Sequence, residues 1–514
     1  MIGADALTHS LIENGVELCI TNPGTSEMHF VSALDRIRGL RCVLGLFEGV
    51  VTGAADGYYR LKGKPAATLL HLGPGLGNGI ANLHNARKAR SGIVNVVGEH
   101  ALHHIAHDAP LTSDIEGIAR PVSHWVRTSK NAGEVGADGA EAIRVSRSKA
   151  GQIATLILPA DTAWSEGAVP ARSAEPQPRT RVEAARIEAA AAMLREPNCL
   201  VLLGGVAVRE PALALAGKVA GKTGCTLMAE FNNARLERGA GRVDLPRVPY
   251  VVEQAIKLLA PYRHVILIGA KTPVAFFGYP DKPSVLLNPQ AQVLELATVD
   301  DDLLAVLQDL VQACKASQAP LAQVAERSAL GQAYGALNPE SIAQVLSVCI
   351  PEQGIVIDEA VTTGRQFSAT TRGALPHCWL NSMGGSIGFG MPNAIGAAIA
   401  CPDRAVICLE GDGSAMYTEQ SLWTMAREQL AITVVIFANR SYAILRGEFN
   451  AVGAGLPGQR AIDMLSLDRP VLDWVSIAQG HGLKAERVSE AEAFQKALTR
   501  AVASKEPSLI EVLL

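Results

Sequence analysis

The chain alternates short, uniformly apolar runs with longer stretches in which apolar residues recur at helical spacing. ELCITN, RCVLGLFE, AATLLHL, GIVNVVGE and ATLILPAD fall within residues 1–170. CLVLLGG, CTLMAE and HVILIGA lie within residues 185–325, and GIVIDE, AVICLEG, TVVIFAN and SLIEVLL within residues 338–514. Runs of this length, apolar at successive positions, predict strands buried on both faces, as in parallel sheets covered by helices. Strand–helix alternation in three blocks predicts an α/β fold of three doubly wound parallel-sheet domains, at residues 1–170, 185–325 and 338–514. Between the first two lies ARSAEPQPRTRVEA, whose Arg and Pro content marks a charged linker. The first and third blocks are alike in size and pattern, with no residue-level repeat.

Composition narrows the picture. An aromatic content of 4% with abundant Ala and Gly fits closely packed layers. A formal net charge of −4 argues against nucleic acid or an anionic membrane as partner. Nine cysteines without a CxxC pair favour reduced thiols and a cytoplasmic setting. The opening MIGADALTHSLIENG reads as an amphipathic helix with no basic leader, so no signal peptide is expected. The uncharged stretch 383–402 has the length of a membrane span. Its several Gly, its Pro and its small apolar residues predict a turn and a buried helix instead.

The densest chemistry lies at residues 411–445. GDG follows the apolar run AVICLE, a helical segment comes next, and the run TVVIFA stops at Asn439. In such a βαβ unit both strand ends open onto one sheet edge, where ligands bind. Asp412 offers a carboxylate and Asn439 an amide carbonyl, hard ligands suited to Mg²⁺ or Ca²⁺ rather than Zn²⁺. Gly411 and Gly413 let the backbone approach an anion, and Ser414 begins a helix whose N-terminus favours phosphate. Together they describe a site for a metal-bridged diphosphate.

GDG followed at this distance by Asn resembles the thiamine diphosphate motif of the pyruvate decarboxylase and acetolactate synthase superfamily. GDGSA, SLWT and SYAILR are most similar to benzoylformate decarboxylase. The resemblance runs along the whole chain. It implies pyrimidine-binding, central and diphosphate-binding domains in that order, with thiamine diphosphate and Mg²⁺ as cofactors. The implied metal ligands are Asp412, Asn439 and the backbone carbonyl of Ser441, with Tyr442 beside the cofactor. Where the family has a second Asn and a Gly around the last side-chain ligand, this chain has Ala438 and Arg440.

In the first block, Glu48 ends the run CVLGLFE and starts the helix EGVVTGAADGYYR. By its position alone it is a helix N-terminal acid favoured by the dipole. The family places its catalytic Glu here, before a helix ending in ADGY, where the acid bonds N1′ of the aminopyrimidine and promotes loss of the thiazolium proton. NPGTSE, residues 22–27, is a strand-to-helix turn that points the Thr25 hydroxyl into the edge crevice, and the resemblance makes Thr25 a substrate-carboxylate contact. The stretch from Leu69, LLHLGPGLGNG, imitates a dinucleotide site, but the register fails because Asn78 stands where the third Gly belongs. The same stretch fits the family's cofactor loop and puts His71 at an active-site histidine position. EHALHHIAHDAPL, residues 99–111, brings His103, His104 and His107 together without a fourth metal ligand at known spacing. His107, beside Asp108, is the candidate proton donor or substrate anchor there.

The central block carries no evident site. Acetolactate synthases bind FAD in this domain, but these residues hold no flavin signature. Benzoylformate decarboxylase-like enzymes supply a histidine from it, and PVAFFGYP has Phe276 or Phe277 instead. In the third block, Val361 and Thr362 match the diphosphate-contacting turn. In SMGGSIGFGMP, the Gly385 carbonyl corresponds to the acceptor for the aminopyrimidine and Ile387 to the apolar wedge between the cofactor's rings. Ile444 and Phe449 line the implied pocket, and the bulk of Ile444 favours a small aliphatic substrate.

The resemblance implies non-oxidative decarboxylation of a small 2-oxo acid through an enamine. The alternatives are an acetolactate synthase-like carboligase and a 2-hydroxyacyl-CoA lyase. It also implies a homodimer or homotetramer with interfacial sites. Readings of another class, a nicotinamide oxidoreductase or a non-catalytic carrier, predict respectively NADH turnover without magnesium and no cofactor binding.

Overall fold

A computed structural model describes residues 1–328 and 330–514. The first sheet has six parallel strands, β1 (Leu18–Asn22), β2 (Arg41–Leu44), β3 (Ala66–Leu70), β4 (Ile93–Glu99), β5 (Trp125–Thr128) and β6 (Ile153–Pro159), in the order β2-β1-β3-β4-β6-β5. β3, β4 and β6 are buried at every position, which explains their unbroken apolar runs.

The central block contributes β7 (Cys199–Leu203), β8 (Thr226–Ala229), β9 (Leu236–Arg238), β10 (His264–Ile268) and β11 (Gln292–Ala297). Four of these form a parallel sheet in the order β11-β10-β7-β8. β9 leaves it and pairs antiparallel at the edge of the third sheet. That sheet adds β12 (Ile355–Glu359), β13 (His377–Asn381), β14 (Val406–Gly411), β15 (Ile432–Ala438), β16 (Lys484–Val488) and β17 (Ser508–Leu513), in the order β16-β17-β15-β14-β12-β13-β9. Three parallel-sheet α/β units are thus present, with one short strand exchanged between the second and third.

The outer units meet through two helices of small residues, Glu48–Lys62 and Gly390–Ala400. A Cβ on Gly57 would stand 2.2 Å from the Asn393 carbonyl oxygen, and one on Gly396 2.0 Å from that of Ala54. Only glycine permits this approach, and the glycines of GVVTGAADG and IGAA are accounted for by packing. Asp56 and Arg60 form a fully buried ion pair at 2.6 Å in the seam, and Arg60 also donates to the Asn381 carbonyl at 2.8 Å. The uncharged stretch 383–402 resolves into a Gly-rich turn and the 11-residue helix Gly390–Ala400. Among the described residues, no helix is long and apolar enough to cross a membrane.

Candidate active site

Each sheet has a central place where the chain reverses its direction of winding: β1/β3, β7/β10 and β12/β14. Ligands of doubly wound sheets bind in the crevice at that point, beyond the C-terminal strand ends. The sequence-derived candidates collect at the first and third of these points.

At β1/β3, the turn after β1 carries Gly24 and Thr25, and His71 directly follows β3. Thr25 is exposed. A Cβ on Gly24 would meet the His71 ring at 2.2 Å, so glycine there lets the turn lie against the imidazole. Glu27, buried, accepts from the Gly24 N–H at 2.7 Å and pairs with His71 Nδ1 at 2.8 Å through the same oxygen. Its other oxygen, Oε1, is buried without a partner. The carboxylate therefore sets the tautomer and plane of the ring. Leu72, next in the chain, is held at φ +49°, a conformation that L residues other than Asn and Asp seldom adopt.

Glu48 opens its helix and is buried. Asn78 Nδ2 donates to its Oε2 at 3.0 Å, and Gly75 lies so close that a Cβ would stand 2.8 Å from Oε1. Asn78, the residue that spoils the dinucleotide register, is thus in contact with the candidate acid. Thr25, His71 and Glu48 share one crevice. His107 is not recorded in contact with any of them: it lies exposed in the 99–111 loop, its ring 5.7 Å from that of His104. Among the described residues no cluster of three or more His, Cys, Asp or Glu could hold a metal ion.

At the third sheet, β14 and β15 are parallel neighbours with Gly411 opposite Phe437, which brings Asp412 and Asn439 to adjacent strand ends. Asp412 Oδ1 accepts from the Gly413 N–H at 2.9 Å, and Oδ2 from the Arg440 N–H at 2.6 Å. Arg440 stands at φ +56°, the conformation that glycine adopts most easily, so the family's usual Gly is replaced without a change of turn. Burial lifts the Asp412 carboxyl to about 6, while the Arg440 and Gly413 amides pull it back. A bound cation would relieve that cost. Asn439 Oδ1 accepts from the Ser441 N–H at 3.0 Å, and Ser441 Oγ is buried without a partner. Carboxylate, amide and orphaned hydroxyl make an oxygen-rich set that fits a hard divalent ion.

The helical segment expected after GDG, with Ser414 at its start, is broken in two. Asp412–Ala415 is a single turn, and helix Ser421–Arg427 starts six residues later. So short a turn sums few peptide dipoles, and local N–H groups rather than a macrodipole face the candidate diphosphate site. Ser414 is buried in that turn. The Tyr442 ring covers Gly413, where a Cβ would meet it at 2.5 Å. Val361, at φ +46°, and Thr362 form the turn after β12. Such a backbone is strained for a β-branched residue.

The 383–390 stretch joins the two ends. Asn82 Nδ2 donates to the Gly49 carbonyl at 2.9 Å and to the Gly388 carbonyl at 3.1 Å, and Asn85 Nδ2 donates to the Ser386 carbonyl at 2.9 Å. Gly385, at φ +76°, faces the Phe276 ring, whose Cζ a Cβ would meet at 2.7 Å. Ile387 is half-buried. Phe276 belongs to an aromatic row with Phe277, Tyr250 and Phe231. Glu448 closes the row, accepting from Tyr250 at 3.1 Å and Tyr279 at 2.9 Å. Asn78 and Glu27 were not singled out as site residues from sequence; the failed glycine register at Asn78 was the one available signal.

At β7/β10 the crevice is closed. Gly204 and Gly269 are in backbone contact, Leu303 stands against both Gly205 and Gly269, and the Glu230 carboxylate lies over Gly204. Burial lifts Glu230 to about 7.

The N-terminal TPP binding domain of the thiamine pyrophosphate enzymes matches residues 1–118, and their C-terminal TPP binding domain matches residues 362–512. A Mycobacterium tuberculosis protein provisionally named acetolactate synthase large subunit IlvX is 48% identical, over 100% of this chain and 99% of its own. Benzoylformate decarboxylase of Pseudomonas aeruginosa is 28% identical, over 98% of this chain and 97% of its own. In structure, the thiamine diphosphate-dependent 4-hydroxybenzoylformate decarboxylase of Rhodococcus jostii RHA1 aligns with a TM-score of 0.85 over 99% of this chain and 98% of its own, at 24% identity. The chain belongs to the thiamine diphosphate-dependent enzymes of the decarboxylase and acetolactate synthase family.

Proposed function

We propose that this enzyme decarboxylates a small 2-oxo acid without oxidation, using thiamine diphosphate and Mg²⁺. Bound cofactor would supply a nucleophilic carbon and an electron sink for the carboxylate's bond electrons. Asp412, Asn439 and Ser441 would hold the cation, and Gly411, Gly413, Ser414, Val361 and Thr362 would line the diphosphate. Glu48, with Asn78 donating to one oxygen, would hold a proton at the aminopyrimidine ring. Thr25 would orient the substrate carboxylate, and His71 would exchange a proton at the reacting carbon.

The observation that carries decarboxylation is the Glu27–His71 pair at 2.8 Å. A carboxylate-oriented imidazole at a crevice is equipped to deliver a proton after carbon dioxide leaves. The wall formed by Phe276 and Phe277 is apolar, and the Glu448 carboxylate beside it disfavours a second carboxylate on the substrate. Neither Phe276 nor Phe277 can donate a proton, which favours a second reading, carboligation onto another carbonyl. The relative at 48% identity, named as an acetolactate synthase subunit, supports that reading too. Neither reading calls on flavin. The two-ended site accords with a homodimer or homotetramer.

The test is product analysis of purified protein with thiamine diphosphate, Mg²⁺ and a panel of 2-oxo acids. Carbon dioxide with an aldehyde supports the first reading, and carbon dioxide with a 2-hydroxy ketone the second. NADH turnover in place of either would sink both.

A further inference from the structure

The helix Ala443–Ala451 follows directly on the candidate cation turn, with Tyr442 at its N-cap. None of its residues is fully buried, so no apolar core holds it in place. Ile444 and Glu448 are half-buried, whereas Leu445, Arg446, Gly447 and Asn450 are exposed. Residues four apart share a helix face, so Ile444 and Glu448 stand on one side.

Glu448 ties that side to the central block. Its Oε1 accepts from the Tyr250 hydroxyl at 3.1 Å and its Oε2 from the Tyr279 hydroxyl at 2.9 Å. Among the described residues, these are the only hydrogen bonds joining this helix to residues 185–325. Arg446, on the exposed side, bonds instead to Ser466 of its own block at 2.8 Å. Bonds that end on a charged acceptor are stronger than those between neutral groups. Burial, the nearby Tyr279 hydroxyl and the Glu448 charge all raise the Tyr250 phenol, so it stays a donor. The Tyr250 ring lies 5.6 Å from that of Phe276, and Phe276 Cζ stands 2.7 Å from where a Cβ on Gly385 would be. One acid thereby joins the helix that carries Ile444 to the aromatic row that faces Gly385.

We propose that Tyr250, Glu448 and Tyr279 form a clasp between the central and third blocks that sets the size of substrate the site accepts. Glu448 is then a positioning residue: it holds the helix, and Ile444 with it, close to the Phe276–Phe277 wall. Closed, the clasp leaves room for a short side chain. Opened, a helix without a buried residue of its own gives way and longer side chains enter. This deepens the functional reading above and rests on it.

The experiment compares three variants of the full chain: the double Tyr250→Phe/Tyr279→Phe, Glu448→Ala and Glu448→Gln. Amide hydrogen exchange over residues 443–451 is read without cofactor or substrate. The ratio of kcat/KM for 2-oxohexanoate to that for pyruvate is read with thiamine diphosphate and Mg²⁺. The double variant keeps both rings and removes only the hydroxyls. It speeds exchange and raises the ratio, each by roughly tenfold. Glu448→Ala does the same, although Ala is the better helix former and would slow exchange if the effect were local. Gln can accept from one tyrosine and donate to the other, so Glu448→Gln recovers most of what Glu448→Ala loses in both readouts. The proposal is overturned if the double variant leaves exchange as in the wild type, if exchange speeds and the ratio does not rise, or if Gln loosens the helix as much as Ala. If Glu448→Ala does not fold, the double variant decides. Exchange needs neither cofactor nor substrate, so a wild-type chain that turns over neither acid overturns the functional reading, and the exchange contrast still decides whether the clasp exists.

Discussion

The outer sheets and the central sheet are built alike, and each reverses its winding at a central point, yet their crevices differ in content. At β1/β3 and β12/β14 the strand ends carry Gly24, Thr25, His71, Val361 and the Gly411–Asp412–Gly413 turn. At β7/β10, Leu303 and Glu230 occupy the equivalent space. The backbone layout offers three candidate binding edges, and the side chains at the strand ends tell them apart. A doubly wound sheet is therefore evidence of where a site can be, not that one is there. The two open crevices also differ from each other. Glu48 is an acid with a neutral amide donor beside it, suited to sharing a proton. Asp412 is an acid wrapped by backbone amides and lifted by burial, suited to receiving a cation.

Breaking the comparison at its strongest point means removing Asp412. Asp412→Ala is expected to lower turnover by roughly a thousandfold and to abolish Mg²⁺-dependent cofactor binding, measured by calorimetry with and without the metal. Glu48→Gln is expected to lose roughly a hundredfold in turnover while cofactor affinity stays near that of the wild type. Loss of binding in this variant would contradict the division of labour between the two crevices. Glu27→Gln is expected to lower turnover by roughly tenfold, with the substrate KM little changed, because the ring stays in place but its tautomer is no longer set.

Two pH experiments sharpen the contrast between Asp412 and Glu230. Asp412 binds a proton up to about 6, so proton and cation compete below that value. The apparent Mg²⁺ affinity should fall by about tenfold per unit as pH drops below 6. Glu230 is lifted to about 7, above the range of an unfolded Glu. Its contribution to stability is whole below the unfolded value and is lost as pH rises through about 7, by up to about 3 kcal/mol. Glu230→Gln should flatten that part of the stability–pH curve in thermal melts and leave turnover unchanged. A Glu230 variant with altered cofactor binding would show that the central crevice takes part after all.

Much was legible before any coordinates. The apolar runs marked the strands because parallel strands buried on both faces must be apolar at successive positions. GDG, Asn439 and Glu48 were legible as candidates because each stands at or just beyond a strand end, where turn chemistry and ligand chemistry coincide. Contacts between distant segments were not. Glu27 lies five residues beyond the end of β1 at Asn22, yet folding brings it to His71, 44 positions away in sequence. Asn78 looked like the break in a motif. Glu448 accepts from Tyr250 and Tyr279, two residues of the central block 198 and 169 positions before it, a contact no local pattern announces.

The order of apolar and polar residues was sufficient to specify three wound sheets and the types of group offered at their edges, because periodicity and turn preference act over a few residues. Which edges stay open, which acids face each other and which imidazole gains a carboxylate were decided only when strands from different parts of the chain came into register. Glu359 and Glu410 are far apart in the linear order and become neighbours through their ladder alone. Burial and proximity, the two quantities that set the state of a charged group, belong to the assembled fold and not to the string of residues.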